Sequence, residues 1–154
     1  AVRRMVIKLL LARSPNVKIV KDVAAQLGIE DTPFQKIENE FCILCGLCVK
    51  TCEEAVGVSA IGLSYRGSHR KVGTPFVEPT MVCIGCGACH FICPTGAIKM
   101  TEEDSLRRIW GRDFKLQACK VCGNLFAPEY QLEWMSKKTG VPMEFFQTCQ
   151  NCRK

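Results

Sequence analysis

Residues 42 to 52 read CILCGLCVKTC and residues 83 to 93 read CIGCGACHFIC, so four cysteines fall within eleven positions, twice. Packing does not ask for this, because a cysteine used as a small buried hydrophobe has no reason to recur at a fixed interval. Each stretch has the order C-x2-C-x2-C-x3-C, and any fold of this chain must let those sulfurs converge on something. Twelve cysteines in 154 residues also leave less apolar core per unit length than usual, so inorganic or covalent cross-links are expected to supply part of the stability. An even cysteine count suits a secreted disulfide scaffold as well, but such scaffolds are usually shorter and scatter their cysteines through loops. The short repeated spacings are those of metal sites.

A four-iron cubane takes one thiolate per iron and therefore asks the protein for four. Three cysteines, each two residues from the next, let a short loop wrap one face. The glycine directly after the second cysteine (Gly46, Gly87) permits backbone conformations or close approaches that a side chain would hinder. In runs of this kind the fourth cysteine is displaced and serves the neighbouring cluster. That rule assigns Cys42, Cys45, Cys48 and Cys93 to one [4Fe-4S] cluster, and Cys83, Cys86, Cys89 and Cys52 to a second. Neither half completes its site alone, so folding, cluster assembly and pairing of the halves are expected to be one coupled event.

The halves also differ. Cys93 is followed by Pro94, whereas Cys52 is followed by Glu53 and Glu54. Those acids either disfavour electron addition at the nearer cluster or stand solvated at a helix start. His90 lies inside the second run, but the sulfurs are already supplied, so it is expected beside the site rather than on it. His69 sits in a loop without a nearby cysteine. Each half ends in a short β-like tail, Ala60-Ile61 and Ala97-Ile98, and the insert from Ser64 to Pro79 reads as a loop or hairpin.

The remaining four cysteines form a separate pattern: Cys119 and Cys122, then 26 residues, then Cys149 and Cys152. This spacing is similar to a four-cysteine zinc ribbon or rubredoxin-type knuckle pair. Zinc is favoured because closed all-thiolate sites in small modules are usually structural; a single iron or a third iron–sulfur cluster are the alternatives. Between the pairs, PEYQLEWMSKKTG predicts a helix, with Pro128 and Glu129 in its first turn, Lys137 and Lys138 in its last, and Gly140 as its stop. It should pack Leu132 and Met135, or Tyr130 and Trp134, beneath the metal. At the other end, residues 1–39 read as helical. Ser14 and Pro15 suit a helix start, and Val20, Val23, Ala24 and Leu27 recur at helical spacing before Gly28. Arg3 and Arg4 before a short apolar stretch resemble an export signal, but Lys8 interrupts it. No apolar run approaches the ~18 residues of a membrane span, and the cytoplasm is the expected compartment.

FCILCGLCVKTCEEAVGVSAIGLSYRG and CIGCGACHFICPTGAI together resemble the two-cluster section in the iron–sulfur subunits of NAD-linked hydrogenases and formate dehydrogenases. They resemble equally the large iron–sulfur subunit of respiratory complex I and the accessory domain of iron-only hydrogenases. The resemblance covers about residues 5 to 100, and its most specific parts are the two cysteine runs and the Arg66-Gly67 loop. It implies an α+β fold: a bacterial dicluster ferredoxin-like domain (40–100), preceded by an N-terminal helical docking segment (1–39) and followed by a linker and the four-cysteine zinc-ribbon or rubredoxin-like module (101–154). It also implies a relay between a flavin or ferredoxin site and a catalytic subunit. Such relatives commonly carry a [2Fe-2S] domain upstream, and a cluster held by one histidine and three cysteines in the part aligned with ARSPNVKIVKDVAAQLGI. That part of this chain has neither residue type.

The expected function is therefore an electron-transfer iron–sulfur subunit of a multi-subunit redox complex. Its expected partners are catalytic, flavin- or NAD-binding, or other iron–sulfur subunits. No phosphate-cradling glycine loop, open metal position or nucleophile–base pair appears, so no substrate site is expected. A free dicluster ferredoxin is the alternative. A nucleic-acid-associated zinc ribbon using Lys137, Lys138, Arg153 and Lys154 is weaker. The formal charge of +6 falls to about zero once two clusters and one zinc, each about −2 with its four thiolates, are counted.

Overall fold

The computed structural model describes residues 1–153. Two helices, α1 (Val2–Arg13) and α2 (Lys18–Gln26), lead into the first cysteine loop. Leu11 from α1, Val20 and Ala24 from α2, and Val17 and Ile29 beside them form a small core of their own. Ser14 does not start α2. It ends α1, its N–H bonding Leu10 O at 2.8 Å, and α2 begins after Val17. The reason is tertiary: Ser14 is fully buried, and its hydroxyl donates to Cys42 O at 3.4 Å, so the side chain serves the cysteine loop instead of a helix terminus.

The duplicated region is built as the repeat suggests. The first loop runs into the single turn α3 (Leu47–Lys50) and then a wider turn over Thr51–Val56; the second runs into α4 (Ala88–Phe91). Between them β1 (Gly62–Ser64) and β2 (Lys71–Gly73) pair antiparallel around Gly67–His69, so of the loop or hairpin read for Ser64 to Pro79 a hairpin forms, its first strand starting two residues earlier. Ala60, Ile61 and Ile98 are buried and lead into β1 and β3 (Met100–Glu103).

Residues beyond 100 form a four-stranded antiparallel meander of β3, β4 (Leu106–Ile109), β5 (Arg112–Ala118) and β6 (Leu125–Pro128). Its first two connections are two-residue turns, Asp104-Ser105 and Trp110-Gly111, with positive φ at all four positions. That conformation matches the right-handed twist of the strands. The meander is shared between two cores. Ile109 and Phe114 bury against Cys48, Cys52, Cys83 and Cys89, while Ala127 packs with Leu132 and Phe146 in a third core. Leu132 comes from α5 (Glu129–Thr139), which stops at Gly140 in a left-handed conformation with φ of 72°. Leu132 and the partly buried Met135 pack inward, whereas Tyr130 is exposed and Trp134 lies under the Lys138 ammonium, 4.4 Å from it. Among the described residues no helix is long and apolar enough to cross a membrane.

Candidate metal centres

Both loops are shaped by a glycine in the same place. Gly46 and Gly87 precede α3 and α4 with φ of 77° and 74°, a left-handed backbone that glycine adopts without steric cost. The turn delivers Cys48 and Cys89 on the first helical residues, with Cys52 and Cys93 just beyond. All twelve cysteines are free thiols.

Backbone N–H groups are aimed at the sulfurs in a repeated pattern. The amide of the residue two positions on donates to Cys42, Cys83 and Cys86, from Leu44, Gly85 and Ala88 respectively. Ala60 N–H reaches Cys52 Sγ at 3.2 Å. Burial pushes the Cys48 thiol up, the Val49 amide opposes it, and the charges of Cys42, Cys45 and Cys93 add to the rise. Burial likewise pushes Cys89 up to about 11; the Trp110 hydrogen bond opposes, and Cys86, Cys83 and Cys52 add. In each case one of the charges felt by the third cysteine of a run is that of the last cysteine of the opposite run: Cys93 for Cys48 and Cys52 for Cys89. Burial also raises Cys93, but the Thr95 hydroxyl and the amides of Thr95, Ile98 and Ala97 outweigh it and leave that thiol below its ordinary value.

This donor set suits an iron–sulfur group. Thiolates carrying the charge of a cluster need hydrogen-bond donors when withdrawn from water, and the amides supply them. A set of neutral buried thiols would not call for them.

Around the second run stand three residues that the cysteine pattern does not announce. Trp110 Nε1 donates to Cys89 Sγ at 3.4 Å. Arg107, nearly buried, bonds Gly85 O at 3.0 Å and Glu102 at 2.7 Å. Arg112 bonds Thr80 O at 2.7 Å and Cys83 O at 2.9 Å and lies over the Phe114 ring. All three come from β4, β5 and their turn. The signal available was Trp110-Gly111 between two stretches of mixed charge and apolar residues. Around the first run, Arg13 Nε bonds Cys42 O at 2.9 Å, and Glu40 accepts from the Cys42 amide at 2.7 Å. Glu53 and Glu54 are exposed, Glu54 facing Lys50 at 3.9 Å, so of the two readings the solvated one describes them. His90 Nδ1 lies 2.7 Å from Ile98 O, beside the site as expected.

The C-terminal four converge more tightly. The sulfurs of Cys119, Cys122, Cys149 and Cys152 all lie within 4.8 Å of one another, with Cys122 and Cys149 at 3.8 Å. Cys119 and Cys122 sit on the turn between β5 and β6, closed by Gly123 N–H to Cys119 O at 2.9 Å. The second pair follows the short helical turn Met143–Gln147. The Cys149 amide, 3.3 Å from Cys119 Sγ, and then the Cys122 amide hold the Cys119 thiol down to about 6. Hydrogen bonds from Cys122 and Cys149 push Cys152 up. An edge of a tetrahedron of sulfurs about 2.3 Å from one metal ion is about 3.8 Å, so the cage fits a single tetrahedral ion. Of the basic residues nearby, Lys138 bonds Val56 O at 3.1 Å and Arg153 bonds Thr148 O at 2.8 Å; Lys154 lies outside the described residues.

Two paired cysteine loops, sulfurs met by backbone donors and a glycine-built turn into each short helix define an iron–sulfur domain with two sites. Residues 35–100 match the family of 4Fe-4S dicluster domains. Among similar proteins, an NADH-quinone oxidoreductase component of Rhizobium meliloti is 35% identical over 82 residues, 53% of this chain and 10% of that protein. The alpha chain of an NADPH-Fe(3+) oxidoreductase of Geobacter sulfurreducens is 32% identical over 100 residues, 65% of this chain and 12% of that protein. A formate dehydrogenase-like protein of Staphylococcus haemolyticus is 31% identical over 70 residues, 43% of this chain and 7% of that protein. The chain therefore spans about a tenth of the length of the curated relatives it matches.

Proposed function

We propose that this chain is an electron-transfer module of a larger oxidoreductase complex, working beside flavin- or NAD-binding, catalytic or other iron–sulfur subunits. Cys42, Cys45, Cys48 and Cys93 hold one [4Fe-4S] cluster, and Cys83, Cys86, Cys89 and Cys52 hold the other. When bound, each cluster supplies a site that takes up and passes on one electron. The chain's own residues keep the sulfurs spaced, donate to them through Leu44, Ala60, Gly85 and Ala88, and shield them with Ile109 and Phe114. The observation that carries this reading is the match of residues 35–100 to the 4Fe-4S dicluster domain family, and the influence of Cys93 on Cys48 and of Cys52 on Cys89 supports the crossed assignment. Homology to subunits of known oxidoreductases supports the role. Twelve cysteines kept as free thiols suit a reducing compartment, which favours the cytoplasm.

For the tail we infer a structural zinc ion held by Cys119, Cys122, Cys149 and Cys152. The close approach of the four sulfurs supports one ion over a cubane, whose thiolates sit on four separate metal ions. Metal analysis of the anaerobically prepared chain tests both assignments together. The expected result is about eight irons with matching sulfide for two clusters, and one zinc. Zinc alone, or disulfides among the first eight cysteines, would overturn the relay. Cys122→Ser is expected to release the zinc and unfold the tail while both cluster signals persist in electron paramagnetic resonance.

A further inference from the structure

Trp110 occupies a position that does not suit it. It is the first central residue of the two-residue turn between β4 and β5, with φ of 53°. At such a position Asn, Asp or Gly is favoured, and a bulky residue carries steric strain. The preceding turn of the same meander follows the preference with Asp104. Trp110 is only partly buried against the core around Cys89 and Phe114, and a phenylalanine or leucine could fill that space. What those residues lack is the indole N–H, a pure donor, which here meets Cys89 Sγ at 3.4 Å. In the other half, Cys48 occupies the corresponding place, and among the described residues no side-chain hydrogen bond reaches its sulfur. Other bulky residues, Leu44, Tyr65 and Phe76 among them, also have positive φ, but Trp110 couples that strained backbone to a side-chain donor on a cysteine-loop sulfur, and strain joined to such a contact is a pointer to function.

We propose that Trp110 sets the reduction potential of the second site by donating its N–H to the Cys89 sulfur. This rests on the reading that Cys83, Cys86, Cys89 and Cys52 hold a cluster. Reduction adds one electron from a flavin or iron–sulfur donor, which is oxidised by one electron; no bond breaks and no proton moves. The added negative charge is shared with the thiolate sulfurs, so a donor fixed on Cys89 stabilises the reduced form more than the oxidised form and raises the potential. Trp110 is a positioning residue for charge and touches no substrate.

The test is a redox titration followed by electron paramagnetic resonance on the anaerobically loaded full chain, with iron and sulfide counted first. The Cys52→Ser variant serves to assign the two signals. Trp110→Phe keeps the ring and removes the donor. Its second site is expected to be about tenfold harder to reduce, a fall of about 59 mV for one electron, while the first site stays where it was. Trp110→Asn suits the turn better and cannot reach the sulfur, so it is expected to lower the same potential. An unmoved potential in an iron-loaded variant, or equal shifts at both sites, would overturn the proposal. Loss of second-site iron from both variants would also overturn it, leaving the tryptophan a purely structural role. A wild-type chain that takes up no iron would instead refute the cluster reading beneath it.

Discussion

The two cysteine loops have nearly the same sequence pattern and different surroundings. In the first, Cys45 is exposed and Cys42 half-buried; in the second, Cys83 is buried and Cys86 half-buried. Gly46 has open space where a Cβ would go. At Gly87 that atom would meet Met100 Sδ at 2.8 Å, and at Gly85 it would meet the Phe114 ring at 2.5 Å. The residue matching Gly85 in the first loop is Leu44, which also has positive φ, 55°. Both loops therefore demand the same backbone turn, but only at the glycines of the second do meander side chains press against the backbone. Duplication supplies the ligands, and what is added on one side makes the two sites unequal.

The largest expected effect comes from breaking the crossing itself. Cys52→Ser should abolish the second-site signal and leave the first the better preserved; the opposite selectivity in electron paramagnetic resonance would show that each run keeps its own fourth sulfur. Next is the cover. Phe114→Ala removes a buried aromatic and should cost about 3–5 kcal/mol in denaturant unfolding, with the second site bleaching before the first on warming. Equal bleaching would mean that the meander protects both.

The glycines sharpen the same contrast at lower amplitude. Gly46→Ala should cost about 1–2 kcal/mol, the ordinary penalty of a side chain in a left-handed conformation. Gly87→Ala should cost more, because Met100 must also move, and Gly85→Ala most of the three. Equal losses in urea titrations would remove the claim that cover distinguishes the loops. The smallest effect belongs to the outer face of the meander, where Arg108 and Asp113 pair at 2.6 Å in an exposed position. The guanidinium holds the Asp113 carboxyl below its ordinary value. Arg108→Ala should lower thermal stability slightly at low ionic strength, and about 1 M salt should erase the difference by screening; neither cluster signal should shift.

The parts of this fold that were legible in the sequence carry their cause locally. The cysteine spacing, the glycine after each second cysteine, and α5 with Glu129 at one end and Lys137, Lys138 and Gly140 at the other all act within a turn or two of themselves. Residues 100–118 were harder to read because β4 violates the alternation that marks a half-buried strand. Arg107 and Ile109 face inward while Leu106 and Arg108 face outward, so the inner face mixes a charge with an apolar side chain. Arg107 tolerates burial only because Gly85 O and Glu102 meet it, and such partners exist only after folding. Ser14 misled in the same way: its hydroxyl answers to Cys42, not to its own helix. Trp110 gave a turn signal through Gly111, but nothing in the sequence announced the sulfur it would meet.

The proximity of Cys93 to Cys48, close enough for its charge to raise that thiol, bears on how the protein is made. Translation delivers the first three sulfurs, the intervening hairpin and the whole second loop before Cys93 leaves the ribosome. With Cys93 as the fourth ligand proposed for the first cluster, a nascent chain spends that interval with an incomplete set of thiols open to oxygen and stray metals, and its loading is expected to wait until synthesis has passed the second run.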